Sequence, residues 1–254
     1  MTGDDIALAH RLADAAAAVI RPAFRSRVAI DLKGDASPVT AADRGAEAAM
    51  RTIIAAERPD DGVIGEEYGE DRAGARRVWV FDPIDGTRSF IAGRPTFGTL
   101  IALLDDGVPV LGLLDQCIVG DRWIGAAGRP TTLGRGPAAT RRATLGDAHL
   151  ATSSPHYFAG SDFAAFERVR ARASDTLYGG DCTNYGLVAS GHLDLVVEAG
   201  LQLYDWAALV PIVTGAGGAM TDWSGAPLRL GSDGRVVAAG DPALIPAVVA
   251  ALAS

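Results

Sequence analysis

The sequence predicts an α/β or α+β protein, because segments with helical spacing of apolar residues alternate with short runs of β-branched and aromatic residues. Its 254 residues are enough for one or two domains, and a hydrophobic content of 48% is ordinary for a globular protein. The segment 129–146, which is rich in Gly, Pro and Thr, is the best predicted boundary. We therefore expect an N-terminal α+β half at 1–130 and a C-terminal α/β half at 131–254.

Helices and strands are expected in both halves. Before the boundary, amphipathic spacing predicts helices at about 4–24 and 43–57, and apolar runs predict strands at 28–32, 78–81, 97–104, 108–114 and 122–127. After it, the same criteria predict strands at 150–152, 193–198, 219–221 and 236–238, and helices at 162–172, 205–216 and from 242 onward. Asp105-Asp106-Gly107 signals a hairpin turn, and Thr40 or Asp43 is the expected cap of the second helix.

The formal net charge of −8 limits the classes of partner that the protein can bind. Nucleic acid and anionic membranes both require a basic patch, and the sequence has no run of Lys and Arg long enough to form one. No segment is long and apolar enough to predict a membrane span, and Asp4 and Asp5 stand where a signal peptide carries positive charge. We therefore expect a cytoplasmic protein in which Cys117 and Cys182 are reduced thiols.

The most informative stretch runs from Val78 to Thr87. A Val-Trp-Val-Phe run predicts a buried strand, and Pro83 is expected to stop its hydrogen-bond ladder. Asp82 and Asp85 then place two carboxylates at the end of a rigid strand, where their repulsion favours a bound cation. Hard divalent cations take oxygen ligands, so Mg²⁺ is the first candidate. A surface turn is the alternative, because Asp-Pro and Asp-Gly pairs are common in turns.

Two more acidic residues stand in contexts that suit a metal site. Glu66 follows Gly65 at the end of an apolar run, and Asp205 precedes the apolar segment 206–210. Without a metal, Glu66 would be a solvated loop acid and Asp205 a helix N-cap. The motifs, in chain order, are Val39-Thr40-Ala41-Ala42-Asp43, Gly65-Glu66-Glu67, Asp82-Pro83-Ile84-Asp85-Gly86-Thr87, and Tyr204-Asp205-Trp206-Ala207-Ala208 before Gly217-Gly218.

Together these motifs resemble those of the inositol monophosphatase family, whose members are Mg²⁺-dependent, lithium-sensitive phosphatases. They span roughly residues 33–222, nearly the whole chain, in the order found in the family. The resemblance implies a layered αβαβα sugar-phosphatase fold, a metal site between the two halves, and a homodimer. Lys33 lies near a loop lysine of the family, but the shorter spacing here leaves it without an assigned role.

The resemblance also implies a set of metal ligands. Glu66, Asp82 and the carbonyl of Ile84 would hold one Mg²⁺, and Asp82, Asp85 and Asp205 would hold a second. Asp82 would then bridge both ions, which explains why it needs a rigid strand beneath it. An acidic protein that handles phosphate needs such ions to reverse the local charge.

Residues around the same loop carry the catalytic and substrate roles that the resemblance implies. Thr87 and Glu66 would hydrogen-bond the attacking water, and the backbone N–H groups of Gly86 and Thr87 would meet the phosphate. Asp43 would hold a weaker third ion or act only as a helix cap. The expected substrate-binding residues are Asp85, Gly86, Thr87, Asp181, Glu198 and Asp205.

The segment that begins Arg88-Ser89-Phe90 resembles the branch of the family that acts as bacterial histidinol-phosphatase, since inositol monophosphatases tend to have an asparagine before this phenylalanine. The resemblance puts Asp181 and Glu198 on the substrate side, where two carboxylates would suit the ammonium group of L-histidinol phosphate. Otherwise Asp181 is a turn residue and Glu198 a solvated strand end. The alternatives are an inositol-1-monophosphatase or broad sugar-phosphate phosphatase and, in another class, a non-catalytic metal-binding regulatory protein.

Overall fold

The computed structural model describes residues 3–26, 30–32 and 38–254, so Lys33 and the start of the predicted strand 28–32 lie outside the described residues. The helices are α1 (Gly3–Ala23), α2 (Ala41–Glu57), α3 (Thr87–Ile91), α4 (Asp162–Arg170), α5 (Thr183–Ala189), α6 (Leu203–Trp206), α7 (Leu209–Gly215) and α8 (Ile245–Ala253). The strands are β1 (Ile30–Leu32), β2 (Pro38–Thr40), β3 (Gly62–Gly65), β4 (Gly69–Asp71), β5 (Arg77–Asp85), β6 (Gly98–Asp105), β7 (Val108–Gln116), β8 (Asp121–Ala126), β9 (Arg129–Leu133), β10 (Gly136–Pro137), β11 (His149–Thr152), β12 (Asp175–Tyr178), β13 (Leu195–Glu198), β14 (Ala219–Thr221) and β15 (Val236–Ala239). Short 3₁₀ helices cover Leu145–Asp147, Pro155–Tyr157 and Pro242–Leu244.

The described elements stack in the order α–β–α–β–α. Helices α1 and α2 pack on one face of an eight-stranded sheet with the strand order β10-β9-β8-β7-β6-β5-β3-β4. Helices α5, α6 and α7 lie between this sheet and a five-stranded sheet with the order β12-β11-β13-β15-β14. Helices α4 and α8 cover the outer face of the smaller sheet. The layered αβαβα fold predicted for the chain is therefore confirmed.

The first layer forms because α1 and α2 each present an apolar face to the large sheet. Helix α1 buries Leu8, Leu12 and Ile20, which fall on one side of the helix. Helix α2 begins with a capping box, in which Thr40 is the N-cap and the Asp43 carboxylate accepts the backbone N–H of Thr40. Both residues that the sequence offers as the cap therefore take part in it.

Strand β5 passes through Pro83 instead of ending there, which corrects the expectation that Pro83 stops the strand. Its pairing with β6 shifts between Asp82, opposite Leu100, and Asp85, opposite Gly98, so β5 carries one extra residue at this point. The donor that proline lacks falls within this bulge, where the ladder is interrupted in any case. Residues three apart on a regular strand face opposite sides, and the extra residue brings Asp82 and Asp85 to the same side.

The second half of the chain departs from the predicted elements in three places. The predicted helix 205–216 is two helices, α6 and α7, because the ring of Pro211 would clash with the carbonyl of Ala207 in a continuous helix. The sequence patterns predict neither α5 nor the edge strand β12. The segment 129–146 contains β9 and β10, which extend the large sheet. The division at residues 130 and 131 stays a prediction.

The middle helical layer lies in direct backbone contact with the large sheet. A Cβ at Gly112 in β7 would collide with the carbonyl oxygen of Ala208, and a Cβ at Gly125 in β8 would collide with that of Pro211. Glycine is needed at both positions because the helix backbone occupies the space of the missing side chain. This contact sets the distance between α6, which carries Asp205, and the strands beneath it.

Cys117 and Cys182 are both buried and free. Burial raises the pKa of Cys117 to about 11, and burial together with the nearby charge of Asp85 raises the pKa of Cys182 well above its ordinary value. Both thiols are therefore protonated at neutral pH. In the described part of the chain, no helix combines the length and the apolar character needed to cross a membrane.

Asp194 anchors the connection between the two sheets. The guanidinium of Arg141 donates to both Asp194 oxygens at 2.6 Å, and the backbone N–H of His149 donates to Oδ2 at 2.8 Å. Burial alone would raise the pKa of Asp194, but the bonds from Arg141 and His149 outweigh it and hold that pKa below the ordinary value. The ionised form of Asp194 therefore stabilises the folded state.

Asp194→Asn should lower the free energy of unfolding at neutral pH by about 1.5–3 kcal/mol, because a buried hydrogen-bonded charge is lost. The difference from the native protein should be full above a pH of about 4, the pKa of an unfolded aspartate, and should shrink as the pH falls through the lower folded pKa. Urea unfolding from about pH 7 to about pH 3 measures it. Glu167→Gln, which breaks the partly exposed pair with Arg170 on the surface of α4, is the control and should change stability by less than about 1 kcal/mol. A pH-independent difference for Asp194→Asn would contradict this account.

Candidate active site

Glu66 and Asp82 meet because β3 and β5 are parallel neighbours that run side by side to the same edge of the large sheet. Gly65, the last residue of β3, lies opposite Phe81 of β5, and the backbone N–H of Glu66 donates to the Phe81 carbonyl at 3.1 Å. The residue after each of these positions is acidic, so the pairing brings Glu66 beside Asp82. Burial raises the pKa of Asp82, and the negative charge of Glu66 raises it further.

The bulge in β5 is held by side chains on both of its sides. Asp82 Oδ1 accepts the backbone N–H of Ile84 at 3.0 Å, which closes a tight turn around Pro83. From β6, the Thr99 hydroxyl donates to the Pro83 carbonyl at 2.8 Å. A side chain thus satisfies a backbone group that the interrupted ladder leaves without a strand partner. The positions of Asp82 and Asp85 therefore depend on local hydrogen bonds as well as on the sheet.

Asp205 joins the two aspartates from α6. Its carboxylate accepts the backbone N–H of Gln202 at 2.6 Å, in a capping box whose N-cap is Gln202. Asp205 is therefore not the N-cap, the alternative role that the sequence left open. One carboxylate oxygen from each of Asp82, Asp85 and Asp205 lies within 4.8 Å of the other two.

This cluster concentrates negative charge at a partly buried site on the cavity wall. Burial and then repulsion from neighbouring carboxylates raise the pKa values of Asp82 and Asp85 well above the ordinary value. Burial and the charges of Glu66 and Glu198 raise the pKa of Asp205 to about 7, although the bond from the Gln202 N–H opposes the rise. A bound divalent cation relieves such repulsion, and donors that are all oxygen suit a hard ion such as Mg²⁺.

A further carboxylate approaches this cluster from the turn before α5. The backbone N–H of Cys182 donates to Asp85 Oδ2 at 2.6 Å, which ties the turn to the end of β5. Asp181 has a φ of +46°, in the left-handed region that is strained for residues other than glycine. Gly86 has a φ of +88°, and a Cβ there would lie 2.7 Å from Asp181 Oδ2. Only glycine therefore fits between the Asp181 carboxylate and the end of β5.

Thr87, the first residue of α3, lies between the loop and α2. Its hydroxyl donates to the Ile84 carbonyl at 3.1 Å and lies 3.5 Å from Asp43 Oδ1. Asp43 also accepts the N–H and the hydroxyl of Thr40, at 2.8 and 2.6 Å. Burial raises the pKa of Asp43 despite these bonds, and nearby Glu66 adds to the rise. Asp43 thus caps α2 and also reaches the site, so its two predicted roles are compatible.

Glu198, the last residue of β13, is buried and is therefore not a solvated strand end. Strands β11 and β13 are parallel, with Ala151 opposite Val196, so Ser153 lies beside Glu198. The backbone N–H and the hydroxyl of Ser153 both donate to Glu198 Oε1, at 2.8 and 2.6 Å. Burial raises the pKa of Glu198 to about 7, although these bonds oppose the rise.

A cavity of about 510 Å³ connects these groups. The predicted site residues on its wall are Glu66, Asp85, Gly86, Thr87, Asp181, Glu198 and Asp205. The wall also contains polar residues that were not among the predicted site residues: Arg88, Ser153, His156, Tyr157 and Tyr185. The turn after a parallel strand of an α/β sheet often carries binding residues. This rule could have identified the segment after β11 from the sequence. The metal, catalytic and substrate roles of individual residues stay predictions.

Glu47, which does not line the cavity, is a further residue that sequence reasoning missed. It is fully buried on α2, and its carboxylate accepts the backbone N–H groups of Glu67 at 2.7 Å and Tyr68 at 3.3 Å. The same carboxylate pairs with Arg51 at 2.7 Å, and it fills the space that a side chain at Gly65 would need. The loop that carries Glu66 is therefore fixed at its start by pairing with β5 and at its end by Glu47. In the sequence, the i,i+4 spacing of Glu47 and Arg51 indicated an ion pair on α2.

The model of the inositol monophosphatase family matches residues 4–254. The chain belongs to this family. The match includes both sheets and every acidic residue of the cluster. Members of the family are metal-dependent phosphatases, and the cluster of carboxylate oxygens described above fits a divalent metal. The expected family and the expected class of enzyme are therefore confirmed.

The chain is also similar to proteins whose names give two different substrates, histidinol phosphate and inositol phosphate. Bifunctional phosphatase IMPL2, chloroplastic, from Arabidopsis thaliana is 49% identical over 245 residues, which are 92% of this chain and 71% of that protein. A histidinol-phosphatase from Mycobacterium tuberculosis is 36% identical over 233 residues, 89% of this chain and 90% of that one. A solved inositol monophosphatase from Zymomonas mobilis is 54% identical, covers 100% of both chains and superposes with a TM-score of 0.93.

Glu47→Gln should raise the Mg²⁺ concentration needed for half-maximal activity by roughly tenfold, because residues that orient a metal ligand contribute this much to metal affinity. Calorimetric titration of the protein with Mg²⁺, without substrate, should show the same loss of affinity. The control is Glu57→Gln, on the same helix but in an exposed pair with Arg11, which should leave Mg²⁺ affinity unchanged. Equal Mg²⁺ affinity in the two variants would show that Glu47 does not act on the site.

Proposed function

We propose that this protein is a Mg²⁺-dependent phosphomonoesterase that hydrolyses L-histidinol phosphate to L-histidinol and phosphate, a step of histidine biosynthesis. The observation that carries the proposal is a second acidic pair, Asp181 and Glu198, on the wall of the cavity that Asp85 and Asp205 also line. A phosphate ester with an ammonium group carries negative charge at one end and positive charge at the other. The metal-binding cluster suits the phosphate end, and the second pair suits the ammonium.

The donor set supports two Mg²⁺ ions. Glu66, Asp82 and the Ile84 carbonyl would hold one ion, and Asp82, Asp85 and Asp205 would hold the other. Asp43 would contribute to a third, weaker site. Bound Mg²⁺ supplies a water of lowered pKa and neutralises charge on the phosphate as it is displaced.

The chain's own groups then orient the reactants. The Thr87 hydroxyl donates a hydrogen bond to the Ile84 carbonyl, so the lone pairs of its oxygen remain free to accept a hydrogen bond from the attacking water. Glu66 accepts the other hydrogen of that water and is the general base. The backbone N–H groups of Gly86 and Thr87 bind the phosphate oxygens. These groups are partly buried, which strengthens their hydrogen bonds relative to those of groups in open water.

Inositol-1-monophosphatase activity, or broad sugar-phosphate phosphatase activity, is the second candidate. The 54% identity to the Zymomonas mobilis inositol monophosphatase favours it. A non-catalytic metal-binding regulatory protein is the third, and the complete set of acidic residues in the cluster argues against it. We also propose two domains, at 1–130 and 131–254, with the active site between them. The cytoplasmic location and the homodimer stay predictions.

Asp82→Asn should abolish phosphate release from histidinol phosphate at any Mg²⁺ concentration, because it removes the charge that two ions would share. The circular dichroism spectrum of this variant should match that of the native protein, and its thermal unfolding temperature should be no lower, since the change relieves repulsion in the cluster. Asp106→Asn removes the same charge from an exposed hairpin turn and should retain full activity. Substantial turnover by Asp82→Asn, or full native activity in excess chelator, would exclude the two-metal mechanism.

Asp181→Asn and Glu198→Gln should each reduce kcat/KM on histidinol phosphate by about tenfold or more, since a charge-assisted bond contributes roughly 1.5–3 kcal/mol. The reduction on glycerol phosphate, which has no ammonium group, should be smaller. Both variants should bind Mg²⁺ as the native protein does, because neither residue is among the proposed metal ligands.

The comparison of two esters separates amine recognition from a general weakening of the site. Equal losses on both esters would leave Asp181 and Glu198 without the proposed role. A native enzyme that prefers inositol phosphate over histidinol phosphate would instead support the second candidate function.

A further inference from the structure

We infer that Ser89 and Ser153 are positioning residues for substrate selectivity, because each orients one of the two carboxylates, Asp181 and Glu198, that face the organic end of the substrate. This inference rests on the proposed function and deepens it. The two serines come from different parts of the chain: Ser89 lies on α3, which follows β5 of the large sheet, and Ser153 lies in the turn after β11 of the small sheet. Each donates its hydroxyl hydrogen to the neighbouring carboxylate.

Ser89 is the side chain that holds Asp181 on the cavity side. Its hydroxyl donates to Asp181 Oδ2 at 2.8 Å, and the hydrogen bonds recorded for the described residues give the Asp181 carboxylate no other donor. Asp181 needs such support because its backbone is in the left-handed region. The same Oδ2 atom lies over Gly86, where no side chain is tolerated. The position of this carboxylate is therefore set by α3 and not by its own turn alone.

Two nearby charges act on the Asp181 carboxylate. Asp85 repels it, and Arg94, which does not line the cavity, attracts it. The bond from Ser89 fixes the position of the carboxylate in the presence of these charges. A neutral hydroxyl donor holds the carboxylate without pairing it with a positive charge, so the carboxylate can still pair with an ammonium group.

Ser153 acts on Glu198 in the same way but with a second bond. Its backbone N–H and its hydroxyl both donate to Glu198 Oε1, so the hydroxyl is not the sole donor to this carboxylate. Removal of the Ser153 hydroxyl leaves the backbone bond in place. The structure therefore predicts unequal effects, with Ser89 contributing more to selectivity than Ser153.

Ser89→Ala should reduce kcat/KM on L-histidinol phosphate by about three- to tenfold, the range expected for one hydrogen bond. This reduction in kcat/KM should exceed the reduction on glycerol phosphate. It should come from a higher KM more than from a lower kcat, because the amine contact is the same in the ground state and the transition state. Calorimetric binding of L-histidinol in the presence of Mg²⁺ and phosphate should weaken by a similar factor. Ser89→Thr keeps the hydroxyl and should restore most of the selectivity.

A double-mutant cycle tests whether Ser89 acts through Asp181. In an Asp181→Asn background, Ser89→Ala should cause no further loss of selectivity. Ser153→Ala should reduce selectivity by less than Ser89→Ala. The matched control is Ser224→Ala, which removes a serine–aspartate bond of 2.7 Å to Asp222 in an exposed turn and should leave the ratio of the two esters unchanged.

The possible failures are distinguishable. If the native enzyme prefers histidinol phosphate but Ser89→Ala reduces kcat/KM equally on both esters, the positioning role is wrong and the proposed function stands. Full additivity of Ser89→Ala and Asp181→Asn on selectivity would also reject the positioning role. If the native enzyme shows no preference for the ester with the ammonium group, both the inference and the proposed function are overturned.

Discussion

Repulsion among Asp82, Asp85 and Asp205, whose oxygens lie within 4.8 Å of one another, is the constraint on which the rest of the structure depends. Like charges at this distance in a poorly solvated site oppose folding unless each is held in place. The chain meets this demand with backbone donors, because each carboxylate of the cluster accepts one N–H group. These donors come from three different segments, so the cluster links the large sheet, the turn before α5 and α6.

The middle helical layer gives this cluster its geometry. Asp205 approaches β5 only because α6 and α7 lie against the large sheet at backbone distance, over Gly112 and Gly125. A side chain at either position would push the helices outward and move Asp205 away from the two strand aspartates. Packing far from the carboxylates thus sets the distance between them, and the absence of side chains is as important as the presence of acids.

The sequence predicted the features that are local and missed those that depend on contacts between distant segments. The strand before Asp82 and a cap of α2 at Thr40 or Asp43 were predicted from neighbouring residues, and both are found. The bulge at Pro83 was missed because it requires a partner strand with a shifted register. Glu47, Ser89 and Ser153 were missed because their partners lie 20 to 92 residues away in sequence. Their hydrogen bonds exist only after the sheets have formed.

The two acidic groups of the cavity have different consequences for selectivity in the proposed function. The metal-binding cluster attracts any phosphate ester once cations neutralise it, so it does not discriminate among alcohols. Asp181 and Glu198 discriminate among alcohols, because an uncharged polyol would leave two partly desolvated carboxylates without a counter-charge. An ammonium group supplies that charge. The second pair therefore acts by rejecting neutral esters as much as by attracting the cationic one, and this is how a site built to bind phosphate becomes selective for what the phosphate is attached to.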